Sequence, residues 1–276
     1  MLFSILIAHY NNWDYFQACY KSIRAQTYQN YEIIIVDDSS TDNSYEKLLD
    51  LAQSDSKIKL FKNEINRGVG YTKKRCVELA SGEICGFIDP DDALANDALE
   101  VSVQHYEKYP QIGATYSQII WCNGGLEPIR VFKRSRKIKN NNLYFFNINN
   151  EVSHFFTFKK KYYDLTIGIN EALTSAVDFD MYLKLYEKCS FYFIKKPLYL
   201  YRQHEKGVSQ DQSKKEKTYQ NWNKVLFDTC KRRNINQIGN YKINESINLA
   251  AVIFKKENSL LKKIFNFFQS AHDSHV

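Results

Sequence analysis

The residues best suited to chemistry are Asp89-Pro90-Asp91-Asp92, which follow directly on the apolar run 84–88. In extended backbone, residues two apart point to the same side, so Asp89 and Asp91 are expected to face one site, with Pro90 stiffening the chain between them. Close carboxylates repel unless a cation or donor compensates. Hard divalent cations such as Mg²⁺ take a few carboxylates together with substrate phosphate oxygens. The run therefore reads as a metal–diphosphate site, against the plainer reading of a solvated acidic turn.

The surrounding elements favour the site. Residues 3–8 (FSILIA) form an apolar run of strand length. Trp13, Phe16, Cys19 and Ile23 follow at helical spacing. Residues 32–36 (EIIIV) predict a second strand, ending in Asp37-Asp38, with Ser, Thr and Asp available to cap the next helix, which carries Tyr45, Leu48, Leu49 and Ala52. Residues 58–61 predict a third strand, and the turn Asn66-Arg67-Gly68-Val69-Gly70 leads into a helix that Ser81-Gly82 ends. The fourth strand runs into Asp89. Alternating strands and helices predict an α/β fold, a mostly parallel sheet flanked by helices on both faces. Ligands of such sheets bind beyond the carboxyl ends of the strands. His9-Tyr10-Asn11, Asp37-Asp38 and Asp89–Asp92 all fall there.

At these blocks the chain resembles the family-2 glycosyltransferases of the GT-A fold. The resemblance rests on SILIAHYNN, YEIIIVDDSSTDNS, NRGVGYTKKRCVELASGEICGFIDPDD and AVDFDMYLKL, and it covers residues 1–205. It implies a GT-A (Rossmann-like) domain over 1–205, with a nucleotide-binding half (1–95) and an acceptor half (96–205). Residues 206–276 form a basic, helical C-terminal extension. It also implies inverting transfer of a hexosyl or N-acetylhexosaminyl unit from a nucleotide-sugar donor, with a divalent metal, Mn²⁺ or Mg²⁺.

Carried over position by position, the resemblance places Ala8 and Tyr10 against the nucleotide base. Asp38 would accept a hydrogen bond from the base, which favours uracil and hence UDP; a carboxylate, being acceptor-only, suits a ring N–H. Asp37 would orient its loop, and Arg67 with Lys73 or Lys74 would lie near the nucleotide. Asp91 corresponds to the direct metal ligand. Asp89 would contact the ribose or a metal-bound water. Asp92 reads as a cap of a helix starting near Ala95. Asp178 corresponds to the general base, although Val177 replaces the Glu that usually precedes it; its plainer role is a first-turn helix acid. Asp180 reads as a helix-surface residue or as support. Arg202 and His204 would reach the diphosphate or the metal, or Arg202 would pair with a structural carboxylate. His154 is a weaker acceptor-side candidate. Trp13 and Trp121 read as core aromatics before sugar platforms.

Charge is uneven. Of 38 Lys/Arg and 31 Asp/Glu in 276 residues, residues 195–276 hold 16 and 7, a net of +9, leaving 22 and 24, a net of −2, for residues 1–194. Residues 207–217 read as a linker, and 218–233, 243–256 and 259–268 as helices. The apolar-basic end, Leu260 to Phe268 with Lys262 and Lys263, predicts either docking on an anionic membrane surface or packing on the catalytic domain. The six cysteines form no CxxC pair and read as buried free thiols of a reducing compartment. No stretch approaches 18 uninterrupted apolar residues, so no membrane-spanning helix is expected. The N-terminal MLFSILIA lacks the basic flank of a signal peptide and reads as the first strand. A cytoplasmic enzyme, at most peripheral on the inner face of the plasma membrane and acting on a glycan or lipid-linked glycan, is the expectation.

Other classes fit less well. A sugar-nucleotide nucleotidyltransferase would want a glycine-rich basic loop after the first strand, where this chain has AHYNNWD. An inactive nucleotide-sugar-binding module would be expected to lose its acids, yet Asp38, Asp91 and Asp178 are all present. A nucleic-acid binder is disfavoured because the basic excess is terminal and no recognition motif is found.

Overall fold

The computed structural model describes residues 1–204, 215–244 and 247–259. Its first half alternates as the hydrophobic pattern demands: β1 (Phe3–His9), α1 (Trp13–Arg24), β2 (Tyr31–Asp37), α2 (Ser44–Ser54), β3 (Ile58–Lys62), α3 (Val69–Leu79) and β4 (Ile84–Phe87). Then come β5 (Ala93–Leu94), α4 (Ala98–Lys108), β6 (Ile112–Cys122), β7 (Pro128–Val131), β8 (Thr157–Lys159), α5 (Lys160–Tyr163), α6 (Val177–Tyr186) and β9 (Ser190–Arg202). The chain continues with α7 (Lys215–Arg232), a short β10–β11 pair (Gln237–Ile238 and Tyr241–Lys242) and α8 (Leu249–Glu257).

One sheet runs β3-β2-β1-β4-β8-β6-β9-β5, with β7 on β6. Strands β3, β2, β1 and β4 are parallel, as expected. The other half corrects the expectation of a mostly parallel sheet. Strand β8 runs antiparallel between β4 and β6, β5 and β7 pair antiparallel, and only β6–β9 is parallel there. The short β8, three residues long, leaves no period for a sequence reading to detect.

Parallel strands covered on both faces read as continuous apolar runs. In β1 and β2, successive side chains enter opposite cores. Phe3, Ile5, Ile7, Ile33 and Ile35 pack with Phe16 and Cys19 of α1, Leu48 of α2 and Leu99 and Val103 of α4. Leu6, Ile34, Val36 and Phe87 pack with Cys76 and Val77 of α3 and with α6. Val225, Leu226 and Cys230 of α7 and Leu249 and Ile253 of α8 belong to that second core. The helices α7 and α8 therefore pack on the α3/α6 side of the sheet, and Arg232 and Arg233 pair with Glu187 at 3.0 and 2.9 Å. The expected helix 218–233 is α7, and that over 243–256 shrinks to α8 after the β10–β11 turn. The expected linker over 207–217 falls mostly, and the helix over 259–268 almost wholly, outside the described residues. Five of the six free thiols are buried and Cys189 is half-buried. No described helix is long and apolar enough to cross a membrane.

One buried acid holds the parallel half together. Glu32 of β2 accepts from Ser4 Oγ at 2.5 Å and Ser81 N at 2.7 Å, and Lys59 Nζ lies 2.6 Å away. Burial alone would raise its carboxyl, but the bonds from Lys59, Ser4 and Ser81 hold it below the usual range. A depressed folded-state pKa gives stability that is present above the unfolded value, about 4.3, and lost as pH falls through the folded one. Glu32→Gln should destabilise the fold at neutral pH by about 1–3 kcal/mol. Urea denaturation should show that difference shrinking below pH ~4.

Candidate active site

The carboxyl edge of β1, β2 and β4 gathers the polar clusters. His9 and Asp37 are register partners on neighbouring strands; His9 Nδ1 stands 3.4 Å from Asp37 Oδ1. Asp37 accepts from Ser40 N at 2.9 Å. Burial pushes the Asp37 carboxyl up, but the His9 and Ser40 bonds outweigh it and hold it low. Asn11 stitches the next loops together: its backbone N donates to Ser40 Oγ at 3.0 Å, and its Oδ1 accepts from Thr41 N at 2.8 Å. Helix α2 begins after Asn43, whose own side chain makes no cap bond, while Asp42 Oδ1 accepts from Ser44 N at 2.9 Å, as expected from the Ser, Thr and Asp residues there.

Asp38 is buried, 4 % exposed. Its Oδ1 accepts from Asn63 Nδ2 at 2.7 Å and Arg67 N at 2.8 Å, and its Oδ2 from Gly68 N at 2.8 Å. Gly68 holds φ +84°, which glycine adopts without steric cost. Two carboxylate oxygens offer about four lone-pair sites, so Asp38 keeps acceptor capacity while fixing the β3–α3 turn. Ala8 and Tyr10 stand at the end of β1 and beyond it, Tyr10 exposed. Arg67 is exposed, its guanidinium 4.1 Å from the Tyr71 ring centre.

Lys73 of α3 links the two halves. It is 3 % exposed, and its Nζ donates to both Asp178 oxygens, at 2.8 and 3.0 Å, and lies 3.0 Å from Asp89 Oδ1. Burial opposes its charge, yet Asp178 and Asp89 raise its pKa above the ordinary lysine value. Burial would also raise Asp89, but Lys73 and His154 hold it below the carboxylate range. Asp89, His154 and Asp178 place one ligand atom each within 4.8 Å of one another and form a candidate metal-binding triad. Helix α3 lies close against the loop before α6: a Cβ on Gly70 would meet the carbonyl oxygens of Leu173 and Asn170 at 2.7 and 2.8 Å. The family resemblance implies Lys73 near the nucleotide; its bridge to Asp178, 105 positions away, has no local signal.

The acidic run is a turn, which corrects the expected extended alternation: Asp92 N donates to Asp89 O at 3.0 Å. Its acids diverge. Asp89 meets Lys73, whereas Asp91 Oδ2 lies 2.8 Å from His204 Nε2. Asp92 is 1 % exposed and accepts from Arg202 N at 2.8 Å, so it ties β9 to the turn and caps no helix; α4 starts at Ala98. Burial, then Asp91 and Asp89, push the Asp92 carboxyl well up. Arg202 donates to the backbone oxygens of Asp91 and Gly124, both at 2.5 Å, and lies 4.8 Å from the Tyr15 ring centre. Asp180 is a buried support, with Lys184 at 2.6 Å and Asn170 N at 3.2 Å, and not a surface residue.

Asp178 and His154 line an open cleft of about 450 Å³ together with Trp121, Phe132, Tyr182 and Trp222. Trp13 is packed at the margin of the other core. Trp222, on α7, went unnoticed in the sequence because its segment carries no motif.

An α/β mixed sheet flanked by helices, with acids at the carboxyl edge of its parallel half beside a cleft holding a lysine-bound carboxylate, has the architecture of the GT-A fold. The model of glycosyl transferase family 2 matches residues 4–166, and the chain belongs to that family. Over 204 residues it is 31% identical to a chondroitin synthase of Escherichia coli, covering 72% of this chain and 28% of that one. The chain thus spans about a quarter of that relative's length. In fold it is similar to S. aureus TarS 1–349 in complex with UDP-GlcNAc, with a TM-score of 0.71, 19% identity and coverage of 94% of this chain and 73% of that one. It is also similar to a mannosyltransferase of Pyrobaculum calidifontis in complex with GDP-Man and Mn²⁺, with a TM-score of 0.55, 17% identity and coverage of 92% and 68%.

Proposed function

We propose that the chain transfers a sugar, with inversion, from a nucleotide-sugar donor, UDP-linked by preference, to a hydroxyl of a glycan or lipid-linked glycan. The observation that carries this reading is Asp178, held through both oxygens by Lys73 and standing in the wall of the cleft. Its carboxylate takes the proton of the acceptor hydroxyl as that oxygen attacks the anomeric carbon. The bond from that carbon to the donor's phosphate oxygen breaks, and the nucleoside diphosphate leaves with the electron pair. The donor base would lie at Ala8, Tyr10 and Asp38, with Arg67 at the rim. The UDP-GlcNAc held by TarS and the GDP-Man held by the archaeal enzyme support a nucleotide-sugar donor.

The donor set suits a divalent cation such as Mn²⁺ or Mg²⁺. Asp91 and His204 bring a carboxylate oxygen and an imidazole nitrogen together at 2.8 Å, and Asp89 lies two residues before Asp91. Lys73 already occupies the space between Asp89 and Asp178, so a second cation between those two acids would meet ammonium repulsion. Asp91 and His204 are thus the better seat. A bound metal would supply positive charge to the leaving diphosphate. Arg202 Nη2 and His204 Nδ1 are buried without a hydrogen-bond partner among the described residues, which supports an anionic ligand near them.

Peripheral attachment to an anionic membrane remains part of the proposal, supported by the net +9 of residues 195–276, and cytoplasmic placement is proposed with it. Asp91→Asn should weaken Mn²⁺-dependent UDP binding at least tenfold, by about 1.4 kcal/mol, while leaving the thermal midpoint within a few degrees. Calorimetric titration of UDP with and without Mn²⁺ tests it. Unchanged affinity would remove Asp91 from the metal site.

A further inference from the structure

We propose that Trp222 of α7 is the platform for the acceptor's sugar ring, and that the ring this cleft takes is uncharged. The inference deepens the glycosyltransferase reading and rests on it.

A pyranose ring has an apolar C–H face and a rim of hydroxyls. An aromatic plane matches the face, and amides, each both donor and acceptor, match the rim. The cleft offers both. Around Asp178 stand Trp222, Tyr182 and Phe179, with Asn150 and Gln203 as the amides; Asn147 also lines the cleft but is buried with its amide bonded to the Val152 backbone. Among the described residues its lining holds no Lys or Arg. Lys73, the cation that reaches Asp178, already shares its charge between two carboxylates. An acceptor carboxylate or phosphate placed here would meet Asp178, with only the His154 imidazole in the lining to offset the repulsion.

Both tryptophans of the cleft carry one stacked ring, and Trp121 carries a guanidinium as well. Trp121 stacks on Phe132 at 5.3 Å, and the Arg130 guanidinium lies 4.5 Å from its ring centre. Trp222 instead stacks on Phe179, the neighbour of Asp178, at 5.2 Å and 23°. The adjacent Asn221 donates to Ser175 Oγ at 2.8 Å and Thr174 Oγ1 at 3.2 Å, in the segment that enters α6. Platform and base are therefore fixed to one packed unit, and both lie beyond the family-matched residues 4–166. A wall built by a helix beyond the matched segment is a place where acceptor choice can vary while the donor half stays the same.

The test uses the full chain with UDP and Mn²⁺, and two probes of equal size: p-nitrophenyl β-glucoside and p-nitrophenyl β-glucuronide. Saturation-transfer NMR should show the wild type binding the glucoside at least tenfold more tightly than the glucuronide. Trp222→Ala should weaken glucoside binding by about 3–10-fold, Trp222→Phe should restore most of it, and UDP affinity should stay constant throughout. Equal binding of the two probes, binding of neither, or unchanged glucoside binding in a folded Trp222→Ala protein would overturn the proposal. The wild-type comparison of the two probes stands even where Trp222→Ala does not fold. Failure of the underlying reading shows separately, as wild-type protein that binds no UDP with Mn²⁺.

Discussion

Asp178→Asn should lower turnover by about 10²–10⁴-fold, the usual worth of a general base, while UDP affinity stays near that of the wild type. The substitution keeps the size of the side chain and its place in the first turn of α6. It removes the acceptor of the hydroxyl proton and half of the charge that Lys73 faces. Donor binding persists because Asp38 and Asp91 stand on other loops. Steady-state kinetics with a true acceptor, beside calorimetric titration of UDP, separate a lost base from a lost fold. Near-normal turnover would leave Asp178 as a helix-start acid. The base would then be sought at Glu171 or Asp180, but Glu171 is half exposed and paired with Lys74, and Asp180 is buried against Lys184.

The second large effect belongs to Lys73. Lys73→Met keeps an unbranched side chain in the buried position but removes the ammonium between Asp89 and Asp178. Those two carboxylates then face each other uncompensated, and the orientation of Asp178 is lost. Turnover should fall by about 10²-fold or more, the scale seen when one preorganised electrostatic partner is removed. Stability should fall by about 1–3 kcal/mol, because both carboxylates keep roughly 30 % of their surface in water, 31% and 27%, and solvent offsets part of the loss. Lys73→Arg should recover stability more than turnover, since a planar guanidinium cannot place one nitrogen between both acids in the same way. Thermal unfolding and kcat measured on the same preparations check this; a Lys73→Met protein with full turnover would reduce the bridge to a packing contact.

These two residues also show where sequence reading ends. Strands β1, β2 and β4 were legible because burial on both faces gives unbroken apolar runs, and the site acids were legible because they follow those runs directly. The path of the chain after Ile88 was not, because one backbone hydrogen bond, Asp92 N to Asp89 O, turns an apparent alternation into three divergent acids. Asp92 looked like a cap and is a buried acceptor for Arg202, 110 positions away. Lys73 looked like a nucleotide contact, and its partners lie on β4's exit and at the start of α6. Contacts of such separation depend on how β8, β6 and β9 complete the sheet, and no local period encodes that.

The most direct test of the account follows the anomeric proton by ¹H NMR while the protein turns over a UDP-sugar with Mn²⁺ and an uncharged glycoside acceptor. The donor's anomeric signal should decline as a new glycosidic signal of the opposite configuration grows in equal amount, and Asp178→Asn should slow both together. A product that keeps the donor's configuration, or a mixture in which no UDP-, GDP- or dTDP-sugar is consumed, would contradict inverting transfer with Asp178 as base.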